Sequence, residues 1–136
     1  MKKIKPRRIF WTSFGQIDSV TLCLTDKLYE KECKKFGYDI VIVKDGVCTM
    51  FTNEGKRGEC IIGISDKVKH DYVTYVALIE HEITHAVDFI MEEDNMSDME
   101  FRAYAVQDML AKAMMYVEDI GMFKNKSYKK SKETKW

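Results

Sequence analysis

The sequence predicts an α+β fold: a small, mostly antiparallel sheet of three or four strands packed on two long helices. Three observations carry that expectation. Apolar residues recur at spacings of three and four across 71–92 and again across 97–120, the period of amphipathic helices. Between Tyr38 and Ile64 lie short β-branched runs, separated by Asp45-Gly46 and by the polar stretch Asn53 to Gly58, as in successive hairpins. With 136 residues, 46% hydrophobic and 32% charged, the chain has the composition of an ordinary soluble domain and the length for one core.

Taken in order, residues 1–8 form a basic arm, and Ile9 to Gln16 is anchored by Phe10, Trp11 and Phe14, its secondary structure open. Ser19 to Leu24 carries Val20, Thr21 and Leu22 and reads as a first strand or the lead-in to a helix. Asp26 is an N-cap candidate for a helix over 26–36, which Gly37 would terminate. Tyr38 to Lys44 and Val47 to Thr52 then read as two strands joined at Asp45-Gly46, with Glu59 to Ile64 as a third, and helices covering one face of the sheet.

The first long helix begins at Asp71 and runs to about Glu92, burying Val73, Val76, Ala77, Ile83, Ala86, Val87 and Ile90. Glu92, Glu93 and Asp94 place negative charge where the helix dipole disfavours it, so 91–96 is either a loop with a role or a solvated turn. The second long helix spans Ser97 to about Ile120, with Phe101, Tyr104, Ala105, Met109, Ala113, Met114 and Val117 as its apolar face and Gly121 closing it. Six lysines and no core pattern mark 124–136 as a basic disordered tail, leaving 1–123 as a single domain.

Lys plus Arg and Asp plus Glu each number 22, a balance that gives no support for non-specific nucleic-acid binding as the main activity. The basic start, Lys2 to Arg8, is not followed by the apolar run of a signal peptide, and no stretch approaches the ~20 apolar residues of a membrane span. Cys23, Cys33, Cys48 and Cys60 form no CxxC pair, which argues against a zinc ribbon or redox motif and for free, mostly buried thiols. A cytoplasmic monomer is expected.

The chemistry concentrates in His81-Glu82-Ile83-Thr84-His85, inside the first long helix. Two imidazoles at i and i+4 project from one helical face and can converge on one metal ion. This HExxH pattern resembles the zinc-binding helix of the zincin metallopeptidases. The resemblance implies one Zn²⁺ held by His81 and His85, with Glu82 as general base. A catalytic zinc usually has three protein ligands, so a further one is needed. Glu100, fifteen residues after His85, is the candidate.

HEITH followed by Glu100-Phe101-Arg102-Ala103 resembles the HExxH plus ExxA arrangement of small Glu-zincins, including the ImmA/IrrE-type peptidases and compact phage-encoded metallopeptidase-like proteins. There the Glu is the third ligand and the Ala lets two helices approach. A competing role for Glu100 is the capping box Ser97-Asp98-Met99-Glu100. Asp88 is an alternative ligand, or a hydrogen-bond partner of His85, or a solvated side chain. The likeness covers roughly 71–110. Met91 and Asp88 stand where metzincins carry a His and a Gly, Tyr104 stands where a longer ExxxD form has Asp, and the ribbon of SprT-like proteases is absent.

The resemblance therefore implies a zinc-dependent endopeptidase acting on a protein or peptide, in the host cytoplasm if phage-encoded, with neither membrane nor nucleic acid as partner. Tyr72, Tyr75 and Tyr104 are candidate donors to the developing oxyanion. The strand with Glu59, Cys60, Ile61 and Ile62 is expected at a sheet edge, where it would bind substrate by strand addition. The alternative is a non-catalytic binding or assembly protein in which zinc staples the two helices and Glu82 has no chemical task. A nucleic-acid role ranks third, resting on the basic tail and the Lys2 to Arg8 arm.

Overall fold

Two interior strands set the architecture. In the computed structural model, which describes residues 2–52 and 55–123, β2 (Ile17–Cys23) runs parallel to β4 (Gly58–Ile64), with Val20 opposite Cys60 and Leu22 opposite Ile62. β1 (Arg7–Trp11) adds antiparallel to β2, and β3 (Gly46–Phe51) antiparallel to β4, giving the order β1-β2-β4-β3. The fold is α+β as expected, but the sheet is mixed, with a parallel pair at its centre. A parallel pair requires a crossover rather than a tight turn, and α1 (Asp26–Lys34) begins that crossover.

Both faces of the sheet are covered, not one. On one side Val20, Leu22, Cys60, Ile62 and Ile64 pack with α2 (Tyr72–Glu93) and α3 (Met99–Asp119). On the other, Cys23 and Ile61 join Tyr29 and Cys33 of α1 with Ile42 and Phe51 in a smaller core. Burial is accordingly near-continuous along β2 and β4, interrupted only at Asp18 and Glu59, since strands covered on both faces do not alternate; in β2 it takes in Ser19 and Thr21 as well as the apolar residues. All four cysteines are free thiols, three of them buried. Burial, with Glu32 and Cys33 nearby, pushes the Cys23 thiol up to about 12.

The hairpin expected across Asp45-Gly46 does not form, because Tyr38 to Lys44 is not a strand. Its alternation is real, with Ile42 buried and Val41 and Val43 exposed, but it serves a different contact. Ile42 fills the smaller core beside Tyr29 and Gly63, where a Cβ on Gly63 would overlap the Tyr29 ring. Burial of Ile42 wins over strand pairing, and among the described residues β3 pairs with β4 alone.

The caps also shift. Thr25, not Asp26, caps α1 by accepting from the Leu28 amide at 3.1 Å. Asp26 instead accepts from the Ser65 hydroxyl and the Asp66 amide, both at 2.9 Å, tying α1 to the end of β4. Burial alone would raise its carboxyl, but the donors from Asp66 and Ser65, with Lys67, outweigh that and hold it at about 2.

Asp71 caps α2 as expected, its carboxylate 2.8 Å from the Thr74 amide. The buried stripe of α2 is Tyr75, Ile79, Ile83, Ala86, Val87 and Ile90; Val73 and Ala77 are exposed, since the large side chains Tyr75 and Ile79 claim the sheet-facing positions of the first turns. On α3, Met109, Ala113 and Val117 are buried while Tyr104 is exposed.

The acidic end of α2 has a role. Asn95 takes a left-handed conformation, φ 53°, and the Asn95 and Met96 amides close the helix on the Glu92 and Met91 carbonyls. Asp94 is then free to accept from the Gln16 amide at 2.6 Å and to pack on Gly15, fixing the loop between β1 and β2. Residues 124–136, expected as a basic tail, lie outside the described residues, as do Asn53 and Glu54 of the expected turn.

Candidate metal centre

α2 is 22 residues long and anchored by its buried stripe, so the rotation of every side chain on it is fixed by packing. That rotation turns His81 and His85 to the solvent side and Glu82 inward against the sheet. The two imidazole Nε2 atoms stand 3.2 Å apart. Two nitrogens each about 2.0–2.1 Å from a tetrahedral zinc would be separated by roughly 3.3 Å, so the donor pair fits one Zn²⁺. Among the described residues, His81, Glu82 and His85 form the one group of three side chains that could hold a metal ion, with one donor atom from each lying within 4.8 Å of the others.

These three open into a cleft of about 500 Å³ whose far wall is the start of β3, lined by Asp45, Gly46 and Cys48 with Leu78 and Phe89. Gly46 sits at a close approach: a Cβ there would lie 3.1 Å from Glu82 Oε2 and 3.2 Å from Leu78 Cδ1, so one of those side chains would have to shift by a few tenths of an ångström. Glu82 is only 5% exposed. Burial raises its carboxyl above the ordinary carboxylate value, against the opposing pull of His81 and His85. An acid so placed is better suited to accept and return a proton than a solvated one.

The remaining expected site residues fall elsewhere. Glu100 is exposed in the first turn of α3 and does not join the His81, Glu82 and His85 group. It does not cap either: Asp98 accepts from the Glu100 amide at 2.9 Å and from the Phe101 amide at 3.2 Å, displacing Ser97 as the cap. Asp88 reaches Arg102 at 2.8 Å across the α2–α3 hairpin rather than His85. Since α3 folds back along α2, the Asp88–Arg102 register sets Glu100 beside the last turns of α2, about 8 Å further along the axis than His85.

Tyr104 is 66% exposed, and Tyr72 meets Phe123 edge-on and Tyr75 meets it at a tilt at the start of α2, so none of the three tyrosines lines the cleft. The strand of Glu59, Cys60, Ile61 and Ile62 is no edge: β4 is hydrogen-bonded on both sides, and Glu59 is held by Thr21 at 3.3 Å. The edge strand beside the cleft is β3. Sequence reading missed Gly46 and Cys48 as site residues; their signal was the Asp45-Gly46 dipeptide, which had a more ordinary meaning as a hairpin turn.

A comparison with protein-family models, curated proteins and solved structures finds no match to this chain. Among the described residues no helix is long and apolar enough to cross a membrane.

Proposed function

We propose that the chain is a small zinc-dependent endopeptidase of the HExxH class, with the zincin-like character suggested by its motif. The observation that carries this reading is one arrangement: two imidazole nitrogens 3.2 Å apart beside a buried carboxylate, in a cleft walled by an edge strand. Zn²⁺ held by His81 and His85 would supply Lewis acidity, polarising a scissile carbonyl and acidifying water near neutral pH. Glu82 accepts the water proton and passes it to the leaving amine, its inward position keeping it from bulk solvent.

The free edge of β3 binds the substrate backbone by strand addition, the role sequence reading gave to β4. The absent side chain at Gly46 leaves room for that backbone beside Glu82. With Glu82 as the base, two imidazoles are one ligand short of the usual shell, and among the described residues no donor beyond Glu82 joins them.

The competing reading, zinc as a non-catalytic staple between α2 and α3, calls for a ligand on α3, whereas all three grouped donors lie on α2. The test is zinc-loaded protein incubated with a mixed-sequence peptide library, new termini being read by mass spectrometry. Wild type should cleave. Glu82→Gln should retain its zinc and cut about 10²–10⁴-fold more slowly. Equal cleavage by both proteins would remove the catalytic assignment of Glu82.

A further inference from the structure

The edge of the sheet furthest from the cleft carries a second set of features that the hydrolytic reading does not use. From Lys2 to Ile17 the chain has five cations, Lys2, Lys3, Lys5, Arg7 and Arg8, and no acid. The structure places the last two on the edge strand β1, both exposed, followed by Trp11 at 61% and Phe14 at 82% exposure. Lys112 lies over the Trp11 ring at 5.1 Å while paired with Asp108 at 2.9 Å, which holds the indole in place. On the other face Arg8 meets Lys31 and Lys35 around a second cleft of about 540 Å³, whose acids Glu32 and Glu59 are engaged by Lys35 and Thr21.

Exposed aromatic rings on a loop would mean little if the loop were loose, but this one is built. The Arg57 guanidinium donates to the carbonyls of Thr12 and Gly15 at 2.8 Å, Phe14 at 2.6 Å and Ile17 at 3.3 Å, while Asp94 takes the Gln16 amide. The backbone on both sides of Phe14 is thus fixed while its ring faces solvent, so binding there would order little that is not already ordered. Arg7 and Trp11 stand about 13 Å apart along the strand.

We propose that β1 and the loop after it form a docking surface for single-stranded nucleic acid, with Arg7 and Arg8 contacting phosphates and Trp11 and Phe14 stacking on bases. Charge selects this occupant. Asp119 and Asp108 pair with Lys2 and Lys112, while Lys3, Lys5, Arg7 and Arg8 make no ion pair among the described residues; such a row suits a polyanion, and two preset rings interleaved with it suit the faces of unstacked bases. The neutral whole-chain balance is compatible with this because residues 2–17 carry five cations and no acid, a local excess that the total conceals. The surface is independent of the metal cleft, so either can fail without the other.

The test uses the full chain with oligo-dT and oligo-rU, measured by fluorescence anisotropy over a range of salt, and by tryptophan emission in Trp136→Phe, which leaves Trp11 as the sole indole. Expected are quenching of Trp11 on binding and loss of about tenfold in affinity for Trp11→Ala and for Phe14→Ala. The double change Arg7→Gln with Arg8→Gln should flatten the log affinity against log salt slope by about 0.7 per phosphate contact removed. Phe14→Ala keeps the proposal testable if Trp11→Ala disturbs folding. No binding at low salt would overturn it. So would binding that all these variants leave unchanged, as expected if the lysines of 124–136 carried it. Equal competition by polyglutamate without quenching of Trp11 would also overturn it, in favour of an acidic protein segment.

Discussion

The two edges of the sheet are finished in opposite ways. At β3 the edge strand leans on α2, is small or apolar where it meets the cleft, and among the described residues has no strand on its outer side beside His81, Glu82 and His85. At β1 the edge is covered with cations and aromatic rings, and its loop is held by polar clamps from Arg57 and Asp94. One edge is built for close approach to a buried carboxylate. The other presents charge and ring faces to solvent. An edge strand left open is an aggregation hazard unless it is blunted or used, and here one edge is blunted by charge and the other borders the cleft of His81, Glu82 and His85.

Four changes would break or sharpen that contrast. The largest effect is expected from Ile79→Ala, which empties a fully buried position between α2 and the sheet. Denaturant titration should show a loss of about 2–5 kcal/mol. The next concerns the Asp26 network. Its folded-state carboxyl is lowered to about 2, so its stabilisation is complete above the ordinary carboxylate value. As pH falls from about 4 to about 2, roughly 2 kcal/mol should disappear, and Asp26→Asn should remove most of that acid slope in pH-dependent melts.

Gly46→Ala comes third. A Cβ there demands that Glu82 or Leu78 give way by a few tenths of an ångström, so zinc content should be kept while peptide turnover falls about tenfold. Smallest is Phe14→Ser: with the ring 82% exposed, stability should stay within about 0.5 kcal/mol of wild type. A larger loss would mean that the β1 loop depends on its tip for packing and would weaken the contrast between the edges.

The long helices were legible because their signals are local: apolar period, the Asp71 cap and Gly121 at the end of the second. The α+β class and the HEITH placement followed from them. Sheet order was not legible, since a parallel β2–β4 pair and a two-sided core depend on contacts distant in sequence. YDIVIVK has strand chemistry, yet Ile42 finds a better partner in Tyr29 than in a neighbouring strand. Cap assignment failed twice by one residue, at Thr25 and Asp98, because adjacent cap-competent side chains compete and tertiary demand on Asp26 decides the first case. In the site, the HExxH trio was readable from spacing alone, while Gly46 and Cys48 enter only through the pairing of β3 with β4.

Zinc content of purified protein tests the central assignment most directly, measured by mass spectrometry after reconstitution and dialysis for wild type, His81→Ala, His85→Ala and Glu100→Ala. The proposed site predicts about one zinc per chain in wild type and loss in each histidine variant, with the Glu100 variant deciding whether that carboxylate completes the shell. A wild type without zinc, or histidine variants that keep it, would contradict the account and leave the HEITH helix as ordinary structure.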